Sequence, residues 1–174
     1  LAGRVRARLS VDTRKAEVMR RAAAGGVHVL NDVSALLHDP QSLRVVAETR
    51  LPIVLMHAQG EPKTMQVDPR YDDLLGEVSE YFEERMNQAQ RQGVAVDKII
   101  LDVGIGFGKR TIDNLMLIKH LQAFARFGRP LLVGLSRKRF IGDLTGADAA
   151  DRLPGSLAAA ALAVSAGANI IRTH

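Results

Sequence analysis

Six short aliphatic runs each stop at a polar or ionisable residue, and stretches of helical periodicity separate them. RLSVD, HVLND, PIVLMH, KIILD, PLLVGLS and NIIRTH end at or near Asp12, Asn31, His57, Asp102, Ser136 and His174. Between the runs, apolar residues recur three or four apart, as in Val78, Tyr81, Phe82, Met86 and Ala89, or Leu115, Ile118, Leu121 and Phe124. Gly25-Gly26, Gly93, Gly128 and Gly167 follow such stretches, where helices stop in a left-handed turn. The order is strand then helix, repeated, which implies a parallel sheet covered by helices. In such a sheet the six endings gather at one mouth. An open doubly wound sheet and a closed (β/α)8 TIM barrel both satisfy the pattern. Roughly 29 residues per unit is close to the roughly 31 of an eight-unit barrel, so the expected fold is a barrel of which six units are present.

Composition narrows the function classes. With 47% hydrophobic residues among 174, residues 1–174 form one domain with its own core. No apolar run reaches the roughly 20 residues that span a bilayer, LAAAALAVSAGA included, and the arginines that follow Leu1 with no apolar h-region leave the expectation of no secretory leader. The chain has no cysteine, which excludes disulfides and thiolate metal sites and leaves a cytoplasmic setting as the expectation. Much of the net charge of +5 lies in Arg4, Arg6, Arg8, Arg14, Lys15, Arg20 and Arg21, read as solvated helix surface. Aromatics make up only 4% of the chain, which argues against nucleic acid and for a small anionic substrate.

Two loops after strand ends exceed a plain connection: AQGEPKTMQVDPR after His57 and VGIGFGKR after Asp102. Three glycines at alternate positions, 104, 106 and 108, permit close backbone approach to a ligand and present Phe107; a purely structural turn reads equally well. The spacing matches neither a dinucleotide fingerprint nor a P-loop. Asp12-Thr13, Asn31-Asp32 and Ser136 each fit a helix cap as well as a site. Arg172 and His174, two apart, point the same way from a strand and suit a phosphate or pyrophosphate, or else pair with a carboxylate. His57 is a ligand, a base or a buried ring. No HxxxH or tight histidine–carboxylate cluster suggests zinc.

Taken in order, SVDT, NDVS, MHAQGEPKTMQ, GIGFGK, FGRPLLVGLSRK and the closing GANIIRTH resemble dihydropteroate synthase, a pterin-binding TIM-barrel family, over essentially the whole chain. The resemblance implies that 7,8-dihydropterin-6-ylmethyl diphosphate is joined to p-aminobenzoate with release of pyrophosphate, in the presence of Mg²⁺. It gives Asp12, Asn31 and Asp102 hydrogen bonds to the pterin, with Met56 and Phe107 as apolar walls. Lys138 contacts the pterin and borders the p-aminobenzoate pocket, which Phe107 and Ser136 also line. Arg172 and His174 take the diphosphate. Asp12, Lys138, Arg172 and His174 carry the chemistry, by charge stabilisation and positioning, with no strong general base. A homodimer is implied too.

This chain departs from the family at Val103, where proline is usual, and at Ala58, where methionine is usual. The family has two further βα units before SVDT, one bringing a magnesium-binding asparagine, and nothing in Leu1 to Leu9 supplies them. It also continues past His174 into a last helix. The expectation is therefore a partial barrel with no metal ligand of its own, unstable and inactive in isolation because sheet edges would be exposed. A methyltetrahydrofolate methyltransferase-like pterin-binding domain shares the Asp, Asn, Asp pocket, but GLSRK and GFGKR argue against it. A non-catalytic pterin-binding paralogue is the rival from another class.

Overall fold

The computed structural model describes residues 3–60 and 64–173. Six strands belong to one sheet in chain order, β1-β2-β3-β4-β5-β6. They are β1 (Ser10–Asp12), β2 (Val29–Asp32), β3 (Ile53–Met56), β4 (Ile99–Asp102), β5 (Leu131–Gly134) and β6 (Ile170–Arg172). Consecutive order with parallel pairing is barrel topology; a doubly wound sheet would reverse its order at a switch point. That decides between the two architectures open in the sequence.

The structure divides into two compact units, Leu1–His57 with Glu80–Leu101, and Ala58–Ser79 with Asp102–His174. In the first, β1 pairs with β2 and β2 with β3, all parallel, setting Asp12 opposite Asn31 and Asn31 opposite Val54. Helices α1 (Ala16–Ala24) and α2 (Ser42–Thr49) follow β1 and β2. Met19, Leu30, Val45, Ile53, Leu55, Phe82 and Ile99 are fully buried, each contributing about 1.5–3 kcal/mol. Of the basic residues read as helix surface, only Arg20 and Arg21 lie on α1, where both pair with Glu17; Arg4, Arg6 and Arg8 precede β1.

Helix α3 (Leu74–Arg91) begins where Asp73 accepts the Gly76 N–H at 3.1 Å, and Glu77 accepts the Asp73 N–H in return. Its predicted stripe is the buried one at Val78, Phe82 and Ala89. Gly93, Gly128 and Gly167 are left-handed (φ 90°, 62° and 102°), as the helix-stop reading requires.

In the second unit β5 pairs in parallel with β6, Gly134 opposite Arg172. Helix α4 (Thr111–Lys119) is shorter than its periodicity suggests, because the chain tightens into 3-10 turns at Leu121–Phe127. Of the predicted stripe Ile118, Leu121 and Phe124 are buried and Leu115 is only half-buried, while Asn114 and Leu117 are inside as well. Two helices separate β5 from β6, α5 (Arg139–Thr145) and α6 (Leu153–Ser165). Helix α6 leaves Leu153, Leu157, Leu162 and Val164 more than half exposed. Among the described residues no helix is long and apolar enough to cross a membrane.

Candidate functional site

In the second unit the site is built around one buried carboxylate. Asp102 closes β4 with 4% of its surface exposed, and its Oδ1 accepts the Gly104 N–H at 2.8 Å. Burial pushes the carboxyl up to about 6, against the pull of the Gly104 N–H and of Lys138, Lys109 and Arg172. It is therefore an anion above neutrality, held in a site that resists its charge.

The loop after Asp102 carries Gly104, Gly106 and Gly108 at φ 67°, 78° and 63°. A Cβ at Gly106 would stand 3.1 Å from Lys138 Cδ, and one at Gly108 would overlap the Gln59 carbonyl oxygen. Glycine is thus required by close approach and by backbone angle together. Lys138, half-buried at the start of α5, donates from Nζ to the Ile105 carbonyl at 2.8 Å and lies 4.2 Å from the centre of the Phe107 ring. Burial lowers its pKa, and Asp102 partly restores it. Asp102, Phe107 and Lys138 are therefore brought together around this loop.

Other members stand apart. Ser136 and Arg172 line a small cavity of about 160 Å³ with Leu135, Leu157 and Ile171, while Lys138 lines a separate cleft of about 480 Å³ with Gln66, Lys109 and Asn114. Arg172 ends β6 exposed, and its charge acts on Asp102 and Lys138. His174 lies outside the described residues, as do residues 61–63 of the MHAQGEPKTMQ motif.

In the first unit Asp12 ends β1 exposed and accepts a hydrogen bond from Asn31 Nδ2 at 2.9 Å. At the start of α1, Thr13 Oγ1 accepts the Lys15 N–H, and Asp39 accepts the Ala16 N–H. Asn31 is buried with its Oδ1 unpartnered among the described residues. Asp32 takes the local role instead, accepting from the Ser34 N–H and hydroxyl and the Leu36 N–H. Met56 is 2% exposed, and His57 packs edge-on against Tyr81, 4.9 Å between ring centres.

The family described as "Pterin binding enzyme" matches residues 1–174. The chain belongs to that family. It is 48% identical to the dihydropteroate synthase of Escherichia coli (strain K12) over 166 residues, 95% of this chain and 58% of the relative. Against the enzyme of Neisseria meningitidis serogroup B the identity is 46%, over 95% of this chain and 60% of the relative. Among solved structures, Yersinia pestis dihydropteroate synthase with a sulfonamide drug complex superposes with a TM-score of 0.97 at 43% identity, over 100% of this chain and 63% of that one. Dihydropteroate synthase from Xanthomonas albilineans in complex with 7,8-dihydropteroate gives 0.92 at 43%, over 99% and 63%. The chain thus spans 58–60% of the length of these curated relatives.

In this member of the pterin binding enzyme family, several residues of the second unit were not singled out from sequence. Lys109 is 3% exposed, donates to the Phe107 carbonyl at 3.0 Å, and burial lowers its pKa to about 7. Tyr71 donates to the Gly108 carbonyl at 2.7 Å, and Gln66 to the Gly106 carbonyl. Asn114 had a legible signal, a polar residue three and four positions before Leu117 and Ile118 on an apolar stripe. Among the described residues no group of three or more His, Cys, Asp or Glu could hold a metal ion.

Proposed function

We propose that the full-length protein is a dihydropteroate synthase. One observation carries the reading: a buried carboxylate, Asp102, backed by its own backbone donor and set beside an aromatic ring capped by the Lys138 ammonium. A pterin edge offers an amide-like N–H and an amino group side by side, and one carboxylate accepts both. The identity to relatives named dihydropteroate synthase supports the same reading.

The C–O bond between the pterin methylene and the diphosphate breaks, the p-aminobenzoate nitrogen forms the new C–N bond, and the amine proton passes to solvent. Negative charge collects on the departing diphosphate, which Arg172 with His174 stabilises; Asp12 favours positive charge on the methylene. Asn31 and Asp102 orient the pterin, Met56 and Phe107 wall it, and Ser136 with Lys138 receives p-aminobenzoate. Neutral arylamine is already nucleophilic, so positioning supplies the rate and no side chain acts as a strong base. The protein acts in the cytoplasm as a homodimer, and the 174 residues belong to one barrel domain.

Full-length protein incubated with the pterin diphosphate and labelled p-aminobenzoate yields labelled dihydropteroate and one equivalent of pyrophosphate. Tight pterin binding with no product would instead mark a non-catalytic pterin-binding protein.

A further inference from the structure

In the glycine loop that presents Phe107, the Phe107 N–H donates to the Gly104 carbonyl. Side chains bond further backbone groups of the loop. Asp102 takes the Gly104 N–H, Lys138 the Ile105 carbonyl, Gln66 the Gly106 carbonyl, Lys109 the Phe107 carbonyl and Tyr71 the Gly108 carbonyl. The Gly106 N–H donates to Asn114 Oδ1 at 2.7 Å.

Asn114 differs from the others in where it stands. It is 3% exposed in the first turn of α4, and its Nδ2 donates to the Arg110 carbonyl at 3.0 Å. That turn is itself pinned, since the Arg110 N–H and guanidinium both bond Asp113, at 2.8–2.9 Å. One amide therefore accepts from the loop and donates to the helix, which neither a carboxylate nor an aliphatic side chain can do. Gly106 is also the residue against which Lys138 packs, because a Cβ there would stand 3.1 Å from Lys138 Cδ. A shift of Gly106 moves the Phe107 ring and the ammonium above it together.

We infer that Asn114 is a positioning residue: through Gly106 it fixes Phe107 and Lys138 in the geometry that receives p-aminobenzoate. The inference rests on the function proposed above. Reacting groups misplaced by about 1 Å lose rate steeply. In the full-length protein, Asn114→Ala lowers kcat/KM for p-aminobenzoate about 10- to 100-fold, and Asn114→Asp, which keeps the acceptor, loses less. In a background carrying both Phe107→Leu and Lys138→Met the same Asn114→Ala change costs under about 3-fold, since its effect runs through those two side chains. A loss of equal size in both backgrounds, the pattern of a merely structural residue, overturns the inference, as does wild-type kinetics in Asn114→Ala. Should Asn114→Ala fail to fold, the same comparison with Asn114→Asp decides. Absence of product from the wild type sinks the functional reading alone; hydrogen exchange at the Gly106 amide, expected to quicken in Asn114→Ala and less in Asn114→Asp, still decides whether Asn114 holds the loop.

Discussion

Replacing Asp102 by asparagine separates what the carboxylate costs the fold from what it does for a pterin. Burial raises the carboxyl from 3.8 to about 6, which makes the ionised form cost the folded state about 3 kcal/mol. Because the folded pKa lies above the unfolded one, the folded state holds the proton more tightly. Stability is undiminished below about 3.8 and is lost as pH rises through about 6. Asparagine keeps the shape and an acceptor for the Gly104 N–H without the charge. Asp102→Asn should therefore exceed the wild type by about 3 kcal/mol at pH 8 and by about half that at pH 5. At roughly 2–4 °C per kcal/mol, Tm rises by about 6–12 °C at pH 8. Far-UV circular dichroism of the full-length protein is a suitable probe. The same variant binds pterin diphosphate about 100-fold more weakly, since one acceptor oxygen becomes a donor facing an N–H. An unchanged or lower Tm at pH 8 would refute the reasoning, because it would mean that attraction from Lys138, Lys109 and Arg172 outweighs desolvation.

Phe107→Leu removes the ring beneath Lys138 Nζ and should raise the p-aminobenzoate KM about 2- to 30-fold; an unchanged KM counts against the pocket assignment. Arg85, 2% exposed, donates from Nε to the Ala35 carbonyl at 2.9 Å and holds a turn in which Ala35 and Leu36 are both left-handed. Arg85→Met leaves that carbonyl unpaired and should cost about 1–3 kcal/mol, read as a lower urea midpoint with an unchanged m value. Gly146→Ala (φ 72°, nothing within 4 Å of the added Cβ) should cost about 1 kcal/mol. Gly108→Ala should cost at least twice as much, because the same strain is joined by overlap with Gln59, and equal losses would remove the argument from close approach. Pterin-diphosphate affinity should weaken as pH falls through about 6, where Asp102 takes up its proton, while kcat stays flat above neutrality.

The strand endings were legible because apolar periodicity is a local property of the chain, and five of the six runs end as the sequence reads them within the described residues. What stayed ambiguous was the job of each ending. Asp12 and Asp32 are the same residue type just inside or at a strand end, yet Asp32 ties its own loop together while Asp12 accepts from Asn31 across the sheet. No local pattern distinguishes them, since the choice depends on the register that sets Asp12 opposite Asn31. Arg85 was hidden for a related reason. An arginine on an amphipathic helix is ordinarily solvated, and here a carbonyl fifty residues away, with Gln88 on the same helix, makes its burial tolerable.

By itself the sequence determined the alternation of strand and helix, the glycine helix stops, and the string of motifs that marks a pterin binding enzyme. Tertiary structure alone decided the order of the sheet, the burial that raises Asp102 and lowers Lys109, and the use of Asn114 as a bridge between loop and helix. The division is physical. Periodicity and turn preference arise from residues within a few positions of one another, whereas desolvation and hydrogen-bond partnership depend on which distant segments the packed chain brings within about 3 Å.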